Sequence, residues 1–226
     1  MDHPASGLTV VLAGATGVVG RHLAEQSVAR QDIARVVAPG RRALPWTAPG
    51  LSCPVLTAID DETAWTEVMP GEVDLALCAL GTTMRRAGSR AAFRKVDLEG
   101  VVAFAKAARA RGARTFGLVS SLGADRPGAA FYLRIKHEAE QAVQQIGFER
   151  VVIVRPSFID DEGMREDHRP LERLALPLAR WLLPARGVRA KWAPVTARAI
   201  ARGLLAHGLA AGPGLTVLEN ATLVSG

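Results

Sequence analysis

The sequence predicts an α/β chain built around a doubly wound parallel sheet. Three observations carry that expectation. Short β-branched apolar runs alternate with longer stretches of helical period, as in successive βαβ units. The first apolar run opens directly onto a glycine-rich turn and then a helix, Gly14 to Gly20. With 226 residues, 49% of them hydrophobic and 22% charged, the chain can bury a large core without staples.

Taken in order, Leu8 to Ala13 reads as the first strand, because a continuous apolar run suits burial on both faces. Gly17 to Arg30 follows as a helix. Ile33 to Ala38 is the second strand, stopped by Pro39 and Gly40, and Cys53 to Ile59 the third. Asp60, Asp61 and Glu62 then supply a helix-start signal. Val73 to Leu80 is the fourth strand. Residues 90–111 read as one long helix with apolar positions at Phe93, Val96, Val101, Phe104 and Ala108, ended by Gly112. Thr115 to Ser120 is strand five, Ala129 to Gly147 a helix, and Arg150 to Val154 strand six, ended by Arg155 and Pro156. A helix from Thr196 to His207 and a short strand from Leu215 to Leu218 close a single Rossmann-like domain over residues 1–226. Within it, residues 157–194 break the rhythm: a charged loop runs from Asp160 to Arg169, and a helix-like stretch from Leu171 to Leu183. This segment is expected to be a small substrate or lid region.

Composition narrows the function. The 28 basic and 22 acidic residues leave a formal charge of +6, but only four cations are lysines and the arginines are scattered among Ala, Leu and Gly. Aromatics make up 5%, with no zinc-finger spacing and no helix-turn-helix, so nucleic-acid binding is not expected. Cys53 and Cys78 have no ligand-spaced partners, which argues against a disulfide scaffold or a metal site and fits a reducing cytosol. The polar start and the lack of an apolar run near 18 residues argue against export and membrane insertion. The expected location is cytoplasmic.

The chemistry lies in five places. In Gly14-Ala15-Thr16-Gly17-Val18-Val19-Gly20 the glycines permit a tight turn, close helix packing and approach of main-chain N–H groups to a pyrophosphate. The spacing is G-x-x-G-x-x-G, a departure from the G-x-G-x-x-G fingerprint. After the second strand, where an acidic residue would hold the ribose 2′-hydroxyl of NAD, stand Arg41 and Arg42. Two guanidiniums suit a 2′-phosphate, which favours NADP over NAD. Asp60 is a candidate for the adenine amino group or for a helix N-cap. The single tyrosine, Tyr132, stands four residues before Lys136, on the same face of a helix. An ammonium beside a phenol favours its ionised form and equips it for proton transfer. Ser120 and Ser121 end strand five at the carboxyl edge of the sheet, where open α/β folds bind ligands.

These residues resemble the short-chain dehydrogenase/reductase superfamily. The segments Cys78 to Thr83, Val119 to Asp125 and Val154 to Ser157 resemble, more narrowly, its atypical subgroup of Tat-interacting-protein-like oxidoreductases. The resemblance spans about residues 8–224. It implies that Gly14, Thr16, Gly17, Val18, Val19 and Gly20 hold the pyrophosphate and that Arg41 and Arg42 hold the 2′-phosphate. It implies further that Gly81, Thr82 and Thr83 lie beside the adenosine and its ribose, Lys136 on the nicotinamide ribose, and Pro156, Ser157 and Phe158 near the nicotinamide. Ser121, Tyr132 and Lys136 become the catalytic set, with Ser120 the alternative serine. One departure stands out: the catalytic asparagine of many members is missing, Asp97 is the nearest polar candidate at its place, and the only asparagine is Asn220.

Two functions follow as expectations. The first is an NADP(H)-dependent oxidoreductase moving a hydride to or from a small carbonyl or alcohol. Phe158, Met164, Trp181 and Trp192 are candidates to line its pocket. The second is a non-catalytic NADP-binding redox sensor that engages a protein partner through the Leu171 to Leu183 stretch. A small-molecule substrate is the expected partner, a homodimer is one assembly open to the chain, whose oligomeric state the sequence does not reveal, and no metal is expected.

Overall fold

The computed structural model describes residues 7–160 and 192–225. Among them, seven strands form one parallel sheet in the order β3-β2-β1-β4-β5-β6-β9. The strands are β1 (Leu8–Ala13), β2 (Ile33–Val37), β3 (Leu51–Ser52), β4 (Leu75–Cys78), β5 (Thr115–Val119), β6 (Arg150–Arg155) and β9 (Gly214–Glu219). A separate short parallel pair joins β7 (Ile159–Asp160) to β8 (Val195–Thr196). The helices are α1 (Val18–Val28), α2 (Glu62–Val68), α3 (Met84–Ala87), α4 (Arg90–Arg94), α5 (Gly100–Ala110), α6 (Phe131–Gln145), α7 (Ala197–Gly208) and α8 (Asn220–Ser225).

The apolar runs form central strands because both of their faces are covered. Val11 and Ala13 of β1 pack with Trp65 of α2, Phe104 of α5 and Ile135 of α6 in one buried layer. Val10 and Leu12 point the other way, against Leu23 of α1 and Ile200 and Leu204 of α7. The doubly wound architecture is therefore as the sequence predicts. Strand order reverses between β1 and β4, so the loops leaving those two strands diverge and open a crevice at the carboxyl edge.

Four elements differ from expectation. The third strand is not Cys53 to Ile59 but Leu51–Ser52, continued by a single bridge between Gly40 and Val55. Pro54 has no N–H for a ladder, and Val55 is exposed rather than turned to the core. Strand four is shorter than Val73 to Leu80, and β9 longer than Leu215 to Leu218. The long helix over residues 90–111 is broken. Thr83 caps α3 and Ser89 caps α4, while a π turn at Lys95–Glu99 separates α4 from α5. That widened turn carries Asp97 and Leu98 into the interior. The stretch from Leu171 to Leu183, Met164 and Trp181 lie outside the described residues.

Candidate functional site

The glycine turn is held by β1 on one side and α1 on the other. Gly14 has φ +88°, and a Cβ there would lie 2.5 Å from the carbonyl oxygen of Ala79. Only glycine fits, and its fit seats the β1 loop directly against the β4 loop at the switch point. A Cβ on Gly20 would lie 2.1 Å from the Gly14 oxygen, so Gly20 lets α1 pack on the turn. Val19 and Gly20 are buried, which limits them to main-chain contact with a ligand. Gly17 caps α1 without a side-chain hydrogen bond, and no acid stands in the first turn. The leading N–H groups of this helix and its positive end thus remain available to an anion.

A cavity of about 320 Å³ opens here, lined by residues 15–18, Arg21 and residues 42–46. A phosphate-bearing nucleotide fits this donor set. Arg42 lines the cavity, whereas Arg41, also exposed, is not among the residues that line it. Arg21, which sequence reasoning missed, lines the same cavity while its Nε donates to Glu25 at 2.8 Å. Its signal was its position directly after the last glycine of the turn. Asp60 neither lines this cavity nor caps α2: it pairs with Lys95 at 3.0 Å, and the cap is Asp61.

The second part of the site lies under the β4 loop. Lys136 and Asp97 are both buried, with Nζ 2.8 Å from Oδ1. The other carboxylate oxygen of Asp97 accepts the main-chain N–H of Thr82 at 2.9 Å. Gly81 roofs the pair, since a Cβ there would lie 3.5 Å from Asp97 Oδ1 and 3.7 Å from Lys136 Nζ. Burial works against the Lys136 charge, yet Asp97, then Tyr132, then Cys78 outweigh it and hold the ammonium above the ordinary lysine range. The thiol of Cys78, buried beneath, is pushed up to about 12 and stays protonated. Tyr132 sits one turn before Lys136 on α6, 37% exposed, with its ring 5.7 Å from that of Phe93. Thr83 spends its hydroxyl on the α3 cap, accepting from Arg86 N at 3.2 Å.

The β5 and β6 loops complete the edge. The turn after β5 lies on α6: Leu133 is 3.3 Å from where a Gly123 Cβ would be, and His137 Nδ1 meets Ala124 O at 2.8 Å. Ser120 is buried with no hydrogen-bond partner for its Oγ among the described residues, and Ser121 is half-buried. Pro156 is buried, with its carbonyl accepting the N–H of Leu122 at 2.9 Å, and Phe158 is exposed. Asn220 holds this β6 loop, accepting Ser157 N–H at 2.9 Å and donating to Ala193 O at 2.9 Å. Sequence reasoning saw Asn220 only as a misplaced asparagine. A contact spanning 63 residues leaves no local signal.

Residues 14–175 match a family described as NAD(P)H-binding. The chain belongs to that family. Its relatives include "Protein fmp52, mitochondrial" from Emericella nidulans, 37% identical over 171 residues, or 74% of this chain and 72% of the relative. "Protein HTATIP2" from Rattus norvegicus is 32% identical over 169 residues, covering 74% and 68% of the two chains. The resemblance to the Tat-interacting-protein-like subgroup is thus borne out. Among solved structures, the enzyme WbmH of Bordetella bronchiseptica in complex with NAD+ superposes with TM-score 0.70 at 16% identity, over 94% of this chain and 75% of that one. At that identity the likeness is one of fold, and the fold of this NAD(P)H-binding chain is the one seen in dehydrogenases of the short-chain superfamily. The expectation of a cytoplasmic location is corrected by the Fmp52 relatives, whose names carry the word mitochondrial. Composition and cysteine usage are equally compatible with other reducing compartments, which is why they misled.

Proposed function

We propose that the chain is an NADP(H)-dependent oxidoreductase acting on a small carbonyl or alcohol through Ser121, Tyr132 and Lys136. The observation that carries the reading is a buried ammonium one helical turn from a half-exposed phenol, on the helix that underlies the loops at the carboxyl edge. The α1 N-terminus and residues 14–18 hold the pyrophosphate, Arg42 the 2′-phosphate, and Lys136 the hydroxyls of the nicotinamide ribose. The bound nucleotide supplies or accepts the hydride.

The protein's own part is proton transfer and orientation. The Tyr132 hydroxyl gives its proton to the substrate oxygen in reduction and takes it back in oxidation. Lys136, charged throughout the neutral range, stabilises the phenolate that each turnover leaves behind. Ser121 donates a hydrogen bond to the same substrate oxygen and fixes its orientation, while the β6 loop at Pro156 to Phe158 bounds the nicotinamide side. Loss of the single Tyr132 hydroxyl removes the proton but leaves the nucleotide contacts intact.

The test is titration of the protein with NADPH and NADH, then a panel of aldehydes and ketones, repeated with Tyr132→Phe. NADPH is expected to bind more tightly than NADH. Tyr132→Phe is expected to keep NADPH affinity within about threefold and to lose at least a hundredfold in turnover, the scale of general acid catalysis. Unchanged turnover in that variant overturns the assignment.

A further inference from the structure

We propose that Asp97 is the positioning residue of this site: its buried carboxylate aims the Lys136 ammonium at the nicotinamide ribose and ties that lysine to the β4 loop beside the nucleotide. The inference rests on the function proposed above, since it assigns Asp97 a role toward the same nucleotide.

Three observations carry it. First, Asp97 is fully buried and both of its oxygens are committed. One lies 2.8 Å from Lys136 Nζ and the other accepts Thr82 N–H at 2.9 Å. A carboxylate with no access to water sits there at considerable cost unless its partners justify it, and both partners belong to the site. Second, the chain departs from regular helix at this point. The π turn at Lys95–Glu99 inserts one residue's worth of extra turn between α4 and α5, and Asp97 is its central residue. Such bulges recur where a helix must present a side chain at a functional site. Third, Gly81 presents no side chain between the β4 loop and the pair, so the nucleotide-side loop rests directly over the two charges. The groups that face Lys136 are Asp97 from the π turn, Tyr132 from its own helix and Cys78 from β4.

The arrangement differs in kind from a relay through a neutral amide. An ionised carboxylate donates no hydrogen bond, so Asp97 acts on Lys136 by charge and on Thr82 by acceptance. Replacing it with asparagine keeps an oxygen for Thr82 and removes only the counter-charge. Lys136 is then a buried ammonium with no ion partner, and desolvation draws its proton affinity down.

The experiment compares NADPH with 2′,5′-ADP, which carries the 2′-phosphate end but no nicotinamide ribose. Both are titrated into full-length wild type and Asp97→Asn between pH 6.5 and 9, alongside thermal melts. Taking the ratio of the two affinities cancels titration of the 2′-phosphate that they share. In wild type that ratio is expected to stay constant within twofold. In Asp97→Asn, 2′,5′-ADP affinity should be unchanged at pH 6.5, while NADPH affinity falls about tenfold more between pH 6.5 and 9 than 2′,5′-ADP affinity does. A ratio in Asp97→Asn that tracks wild type at every pH overturns the proposal, as does an equal loss of both ligands in proportion to a fall in melting temperature. Should the unpaired ammonium prevent folding, Lys136→Met is compared with Lys136→Met/Asp97→Asn. Equal NADPH affinities there support action through the lysine, and a further loss in the double variant refutes it. A wild type that binds NADPH but reduces no carbonyl defeats the catalytic reading alone. A wild type that binds no NADPH defeats both.

Discussion

Arg42 and Arg41 are adjacent in sequence and similar in chemistry, yet of the two only Arg42 lines the cavity at the glycine turn. Coenzyme preference should therefore concentrate in one side chain. Arg42→Ala is expected to weaken NADPH binding about 10- to 100-fold, the range of a lost charge-assisted contact of roughly 1.5–3 kcal/mol, while NADH binding stays within about twofold. Arg41→Ala should change neither, and a fluorescence titration of the two variants decides it. The tyrosine and lysine were legible because a single tyrosine with a lysine four residues on can be read off one helix face. What could not be read was the partner of that lysine. Asp97 stood in the sequence as an acid at an asparagine's place, 39 residues away, and only packing of the π turn against α6 brings its carboxylate to 2.8 Å from the ammonium.

Among the elements, the β6 loop depends on a clamp from the far end of the chain. Asn220 opens α8 and holds Ser157 N–H and Ala193 O, while the Ser157 hydroxyl donates to the same Ala193 oxygen at 2.7 Å. Asn220→Ala leaves buried polar groups without that partner, a cost of about 1–3 kcal/mol. The expected outcome is faster amide hydrogen exchange at Ser157 and Phe158, with exchange in α1 unchanged; uniform acceleration through the sheet would mean that Asn220 supports the whole fold instead. The strands that matter most were the easiest to foresee. β1, β4, β5 and β6 are continuous apolar runs because helices cover both of their faces. β3 was missed because it is the edge strand of the sheet, where two residues suffice and where Pro54 blocks the run that looked more strand-like. The helix over residues 90–111 has an unbroken apolar period, and a π turn preserves that period closely enough to escape notice.

For the molecule as a whole, the ionised groups set a window of pH. Lys136 is held above its ordinary value of 10.5, so its contribution to stability is fully present below that value and is lost as pH rises through the higher folded value. Asp60 is held low by Lys95 and Asp32 by Arg30, both below the ordinary 3.8, so their contributions are present above that value and are lost as pH falls through the lower folded values. Urea midpoints followed by tryptophan fluorescence should therefore be level from about pH 5 to about pH 8, decline above that as the unfolded-state thiol of Cys78 ionises while the buried one stays protonated, and decline at low pH. Midpoints that instead climb with pH above neutrality would show that Lys136 is not charged in the folded state, because the unfolded chain would then bind a proton that the folded one has lost. By itself the sequence determined the doubly wound parallel sheet, the glycine turn and the phenol with its lysine, because hydrophobic period, backbone freedom at glycine and helical spacing are local properties. The convergence of Arg21 and Arg42 on one cavity, the burial of Asp97 against Lys136 and the Asn220 clamp were decided only by the tertiary structure. Each is a meeting of residues distant in the chain, and the strand order, helix packing and π turn that bring them together act through space rather than along the sequence.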